Sequence, residues 1–252
     1  MLVNVWDAGT ARLAKGLGAK AIATSSAAHA FTLGRTDGGV TLEEALAHAA
    51  ALASPVSVPL AIDFEDGFAE APEGVAANVR RAAETGAAGV SIEDWRKAGG
   101  GAYDPTLAAE RIAAAAEAAQ AVGLHLTARA DGVMHGAYDV AEAVRRLSAF
   151  SEAGADCLYA PVLPDAGALA EVVAIGRPVN GLSAGRWADW NLEDWAGAGV
   201  ARVSLGSNLA RYMQRAILDA AGPMIAEGRL SALRHEPPAK EIDCFLNGSE
   251  AS

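Results

Sequence analysis

Short β-rich runs alternate with longer alanine-rich runs at helical spacing along the chain. Strands are predicted at roughly Val3–Trp6, Ala21–Ser25, Leu60–Phe64, Gly89–Glu93, Leu124–Arg129, Cys157–Pro161, Pro178–Leu182 and Arg202–Leu205. Each is short and nearly continuously apolar, the pattern of parallel strands covered on both faces. Helices are predicted near 9–17, 41–53, 72–85, 105–121, 138–152, 165–175, 191–197 and 207–226. Strict βα alternation, eight times over, predicts an α/β fold closed into a (β/α)8 TIM barrel rather than an open doubly wound sheet. Gly18-Ala19, Gly86-Ala87 and Gly154-Ala155 precede strands two, four and six at equal steps. A glycine there ends one helix and turns the chain into the next strand. The barrel is expected over residues 1–206. Residues 207–252 are expected to form the last helix and a C-terminal arm that packs on a neighbour or frays. Strand one begins almost at Met1, with no helix before it to close the barrel floor.

The length of 252 residues suits one such barrel. Only 6% of residues are aromatic, so the core is expected to be aliphatic and alanine-rich. The net charge of −11 argues against a nucleic-acid partner and gives no support to an anionic membrane surface. No apolar run is long enough for a membrane span, and the N-terminus does not read as a signal peptide. Cys157 and Cys244 form no close pair, so a reduced, cytoplasmic protein is expected.

In a barrel of this kind, chemistry collects at the C-terminal ends of the strands. Strand three ends Asp63-Phe64-Glu65-Asp66, strand four Glu93-Asp94, strand five Arg129-Ala130-Asp131, and strand seven carries Asn180. Asp63 and Glu65 share one strand parity. They fit two readings, capping with a salt bridge to Arg129, or a Mg²⁺ or Mn²⁺ site built of hard oxygen donors. Asp66 and Asp94, of opposite parity, are expected to cap helices or support the site from behind. Asp7 is expected to cap the first helix and Ser207 the last. His125 is expected to be a core histidine. Gly99-Gly100-Gly101 reads as a mobile loop. No nucleophile elbow and no dinucleotide or Walker loop follows a strand.

Several segments in order resemble the isocitrate lyase/phosphoenolpyruvate mutase superfamily, from Asn4 to about Arg211. They are Asn4-Val5-Trp6-Asp7-Ala8, Thr24-Ser25-Ser26, Leu33-Gly34-Arg35-Thr36-Asp37 and Asp63-Phe64-Glu65-Asp66-Gly67-Phe68. They continue with Ile92-Glu93-Asp94, Ala128-Arg129-Ala130-Asp131, Ala153-Gly154-Ala155-Asp156 and Val203-Ser204-Leu205-Gly206. The resemblance implies Mg²⁺, with Mn²⁺ as the variant, held directly by Asp63 and through water by Glu65 and Glu93. It implies that Arg129 grips the substrate and that Asp37 lies on a flexible loop near the reacting group. Ser25, with the N–H groups of Ser26 and Ala27, would bind a substrate carboxylate, and Asn180 would stand on the substrate side. The implied activity is C–C cleavage of a small 2-oxo or 2-hydroxy (di)carboxylate through a metal-stabilised enolate, oxaloacetate decarboxylase-like in its simplest form. C–P chemistry on phosphonopyruvate, or a carboxylate-binding barrel without turnover, are the alternatives. A homodimer or homotetramer that exchanges the last helix is also implied. The loop Trp95-Arg96-Lys97-Ala98-Gly99-Gly100-Gly101 lacks the cysteine that isocitrate and methylisocitrate lyases use as proton donor. Lys97 is a partial stand-in for the mutase's gating-loop lysine, and Pro161 stands where the mutase has a histidine.

Overall fold

The computed structural model describes residues 1–97 and 100–248. The glycine-loop expectation at Gly99 falls outside them. The strands are β1 (Val3–Asn4), β2 (Ile22–Ala23), β3 (Leu60–Asp63), β4 (Gly89–Glu93), β5 (His125–Arg129), β6 (Cys157–Tyr159), β7 (Val179–Leu182) and β8 (Arg202–Ser204). The helices are α1 (Ala8–Gly16), α2 (Ser26–Thr32), α3 (Leu42–Ala53), α4 (Pro72–Ala83), α5 (Pro105–Val122), α6 (Val140–Glu152), α7 (Ala166–Val173), α8 (Leu192–Gly197), α9 (Asn208–Glu227) and α10 (Ala239–Leu246). The sheet runs in sequence order with every neighbouring pair parallel. A parallel bridge from Leu2 to Ser204 joins its two edges, with Leu2 N–H donating to Val203 O at 2.7 Å. The chain therefore forms the expected barrel.

Local chemistry sets the helix starts. Asp7 caps α1 in a capping box with Thr10, as expected, and Thr41 caps α3 with Glu44. Asp139 and Asp165 cap α6 and α7 through their carboxylates. Ser207 sits at the start of α9 but makes no capping bond with its side chain, which accepts from Arg211 instead. Helices α2 and α10 lie outside the predicted set. α2 is short and lacks a polar face, so its alanines show no helical period.

The strands are not continuously apolar in space. Their outward positions hold Ile22, Leu60, Ile62, Val90, Ile92, Leu126, Leu158 and Val179, fully buried under the helices. Burying each such side chain contributes roughly 1.5–3 kcal/mol. Their inward positions hold small or polar residues: Ala61 and Asp63, Ser91 and Glu93, Thr127 and Arg129, Asn180, Arg202 and Ser204. His125, expected in the core, begins β5 on the exposed floor side of the barrel.

Over its described length the C-terminal arm is largely helical. α10 packs on α1 of the same chain, where Phe245 is buried and Arg12 donates to Leu246 O. Helix α9 instead exposes Tyr212, Met213, Ile217, Leu218 and Ile225. No described helix is long and apolar enough to cross a membrane.

Candidate active site

The mouth of the barrel opens into a cavity of ≈ 640 Å³ lined by side chains from all eight strands. Arg129, at the end of β5, is its centre. Its Nη1 lies 2.7 Å from Asp63 Oδ1 and its Nη2 3.1 Å from Glu93 Oε2. Asp131, which is wholly buried, takes the other edge of the guanidinium, at 2.6 Å from Nη2 and 3.1 Å from Nε. Three carboxylates from three neighbouring strand ends thus share one cation. Burial works against Arg129's charge, but Asp131, Glu93 and Asp63 outweigh it and hold its pKa well above the ordinary value. Glu93 shows the other side of this balance. Its pKa is pushed well up by burial, against the pull of Arg129 and with repulsion from Asp131, Asp63 and Glu65.

Glu65 follows β3 in a left-handed backbone conformation, φ +46°, unusual for a residue with a Cβ. The turn points its carboxylate into the cavity, where Lys97 Nζ meets it at 2.6 Å. Lys97 also donates to Val40 O and lies over the Phe68 ring. Burial raises the Glu65 pKa to about 7 despite Lys97. Asp37 lines the mouth on an exposed turn, its carboxyl accepting from Gly38 N–H. Crowding by protein and the charge of Asp63 raise its pKa.

The β2–α2 junction meets this cluster from the side. Ser26 donates both its backbone N–H and its hydroxyl to Asp63 Oδ2, at 2.9 and 2.8 Å. Ser25 Oγ caps α2 through Ala28 N–H, and Ala27 lines the cavity at the helix start. Ser25, Ser26, Ala27, Asp37, Asp63, Glu65, Glu93, Arg129 and Asn180 therefore all line one cavity. Besides the ion-paired groups, two of the expected substrate-side residues have their donors committed within the protein. The Ser26 N–H is committed to Asp63, and the Asn180 amide donates to Ser204 Oγ and Gly181 O while accepting from Arg202 Nε.

Asp66 and Asp94 do not cap helices. Asp66 accepts from Phe68 N–H, Lys97 N–H and Tyr103 Oη. Asp94 accepts from Asp131 N–H, Tyr138 Oη and Arg146. Each pins a site-bearing loop from behind, which places them as the second expectation for them required. The sequence reading missed Asp131 as Arg129's bidentate partner, Arg202, and the Trp95–His135 stack at the mouth, with ring centroids 3.9 Å apart. Strand parity was the available signal for Asp131 and Arg202: both stand an even number of residues from a lining position on their own segment.

The acids present only hard oxygen donors, and the carboxyls outnumber the cations that pair with them. That donor chemistry suits Mg²⁺ or Mn²⁺. Among the described residues, no three acidic, histidine or cysteine side chains are gathered into a ready metal cage. The salt-bridged arrangement with Arg129 is the one observed.

The phosphoenolpyruvate phosphomutase family model matches residues 1–225. An uncharacterised Mycobacterium tuberculosis (strain H37Rv) protein is 32% identical over 209 residues, 82% of this chain and 77% of its own. The 2-methylisocitrate lyase of Escherichia coli K12 is 32% identical over 167 residues, 63% of this chain and 56% of its own. A Burkholderia cenocepacia J2315 structure, provisionally named a lyase/mutase, superposes with a TM-score of 0.93 at 39% identity, covering 99% of this chain and 91% of that one. With its barrel, its acid-ringed arginine and this match over most of its length, the chain belongs to the phosphoenolpyruvate phosphomutase family, within the isocitrate lyase/phosphoenolpyruvate mutase superfamily of lyases and mutases.

Proposed function

We propose that the chain is a cytoplasmic, Mg²⁺-dependent lyase that cleaves a C–C bond of a small 2-oxo or 2-hydroxy (di)carboxylate through an enolate. The observation that carries this reading is Arg129 ringed by Asp63, Glu93 and Asp131 at the cavity mouth. Asp63, Glu65 and Glu93 would hold the cation, with water completing its shell. Bound there, Mg²⁺ supplies Lewis-acid stabilisation of charge on the substrate's oxo oxygen.

The chain's own residues supply the rest. Asp131 keeps one edge of the Arg129 guanidinium, so the other edge is the one a substrate carboxylate takes in exchange for Asp63 and Glu93. Ser26 fixes Asp63, and Ala27, at the start of α2, lines the cavity, where its N–H would serve as a further donor. Arg129 then stays beside the negative charge that grows as the bond breaks, a preorganised field worth several kcal/mol.

Neither cysteine lines the cavity. Cys157 is buried in β6 and Cys244 lies on α10. A cysteine-type proton donor is thus absent among the described residues, which favours loss of CO₂ or a similar fragment over the isocitrate lyase pattern. Phosphonopyruvate remains the second substrate class, on the strength of Lys97 at the mouth.

Calorimetric titration with oxalate, a planar chelating mimic of pyruvate enolate, tests the reading. Binding with Mg²⁺ and none with EDTA is expected, followed by turnover of one member of a 2-oxo acid panel. No binding in either condition overturns it.

A further inference from the structure

Barrels of this fold ordinarily fill their interior with layers of branched side chains. Here the inward positions of β2, β3 and β4 carry Ala23, Ala61 and Ser91, and the cavity continues downward from the mouth past them. Into this hollow projects Arg202, the first residue of β8.

The strand register sets its place. Glu93, Arg129, Tyr159, Asn180 and Arg202 form one row of paired positions across β4 to β8. All five line the cavity. Because barrel strands tilt, such a row descends as it goes round. It begins with the acid-ringed arginine at the mouth and ends with a second arginine in the lumen.

The two arginines differ in their partners. Arg202 donates from Nε to Asn180 Oδ1 at 2.8 Å and from Nη2 to Thr127 Oγ1 at 2.7 Å. Both acceptors are neutral. Among the described residues no carboxylate pairs with it, whereas Arg129, Lys97 and Arg96, which also line the cavity, each have an acid partner. A guanidinium has five N–H donors in a planar fork. Nη1 and the remaining Nη2 hydrogen have no protein acceptor among the described residues. Thr127 and Asn180 fix the plane of the fork, so it is preorganised rather than free to swing.

We infer that the lumen beneath the candidate active site is a second, metal-independent anion site, in which Arg202 binds a small oxyanion, a carboxylate or phosphate group. Thr127 and Asn180 orient Arg202, and the small residues of β2 to β4 leave the anion its space. Among the described residues, none of the acids at the mouth forms an ion pair with Arg202; their ion pairs are with Arg129 and Lys97. An anion in the lumen also lies beside Asn180, whose amide Arg202 holds.

The test works in EDTA, where the Mg²⁺-dependent oxalate site is silent, so the two readings fail separately. Crystals of the full chain soaked in sodium bromide are expected to show an anomalous peak in contact with the Arg202 guanidinium. Calorimetry with inorganic phosphate is expected to show saturable binding that weakens by about tenfold or more in Arg202→Met. Arg202→Lys keeps the charge without the fork and is expected to weaken phosphate less. It also serves as the variant should Arg202→Met not fold. Acetate in place of phosphate, in the same EDTA buffer, distinguishes a carboxylate from a phosphate preference. Native crystals with bromide only at Arg129 or on the outer surface overturn the inference. So does phosphate binding that is unchanged in folded Arg202→Met or Arg202→Lys protein.

Discussion

Ser26 donates twice to one oxygen of Asp63, through its backbone N–H and its hydroxyl. The other oxygen of Asp63 belongs to Arg129. The serine thus ties the start of α2 to the end of β3 and sets the carboxylate's rotation. Ser26→Ala removes one of the two donors. A loss of about 1 kcal/mol of stability is expected, with weaker Mg²⁺-dependent oxalate binding, read by thermal melting and calorimetry. Unaltered oxalate affinity would show that Asp63's orientation is irrelevant to the site.

Glu93 is a buried acid crowded by acids, its pKa raised by burial first and by Asp131, Asp63 and Glu65 after. A neutral isostere relieves that crowding. Glu93→Gln is expected to leave the metal-free melting temperature unchanged or higher, while Mg²⁺-dependent oxalate affinity falls by about tenfold or more. A lower melting temperature with intact oxalate binding would assign Glu93 to the salt bridge alone.

Removing Arg129 leaves Asp63, Glu93 and Asp131 facing one another without their cation. Breaking a buried ion pair this way costs about 3–5 kcal/mol. Arg129→Met is therefore expected to melt early in EDTA, to recover in part with Mg²⁺, and to lose oxalate binding. Denaturant unfolding with and without Mg²⁺ reads this. Equal destabilisation in both conditions argues that the carboxylates take no cation.

The His29 and His48 rings stack 3.7 Å apart behind the β2–α2 junction, with His48 Nε2 at 2.8 Å from Trp6 O. Burial, then His48, lowers the His29 pKa to about 4. The unfolded chain binds a proton near pH 6.5 that the folded chain refuses until about pH 4. Stability from this group is complete above the unfolded value and is lost as pH falls through that window. This group's contribution to the unfolding free energy should drop by roughly 3 kcal/mol across it, while the raised Glu65 carboxyl acts in the opposite sense, so the effect is read as the difference between the native and His29→Gln profiles. Native and His29→Gln profiles with the same slope from pH 7 to 4 rule this out.

Helix α9 turns Tyr212 (76% exposed), Ile217, Leu218 and Ile225 to solvent. We propose that a second copy covers this face in a homodimer or homotetramer, since a stripe of this size is costly on a monomer. Sedimentation velocity is expected to show a dimer or tetramer, and Leu218→Glu to shift it toward monomer. A native monomer at micromolar concentration sinks the proposal.

The barrel was legible because its signal is local and repeated eight times. A glycine at the end of a helix must take a left-handed conformation whatever surrounds it, and Gly86 and Gly154 do so at φ +85° and +103°. The outward faces of the strands are apolar enough to mark each strand by themselves. The position of Asp63, Glu93 and Arg129 at strand ends followed from the same alternation. Tertiary structure alone decided who partners whom. Asp131 closes on Arg129 and Arg202 reaches from β8 to Thr127 on β5 because closing the sheet brings distant strands across one lumen. Likewise Lys97 meets Glu65 only because two loops fold over the same mouth. Sequence spacing fixes which way a strand residue points. It carries no information on what stands opposite, since that depends on the tilt and closure of all eight strands together.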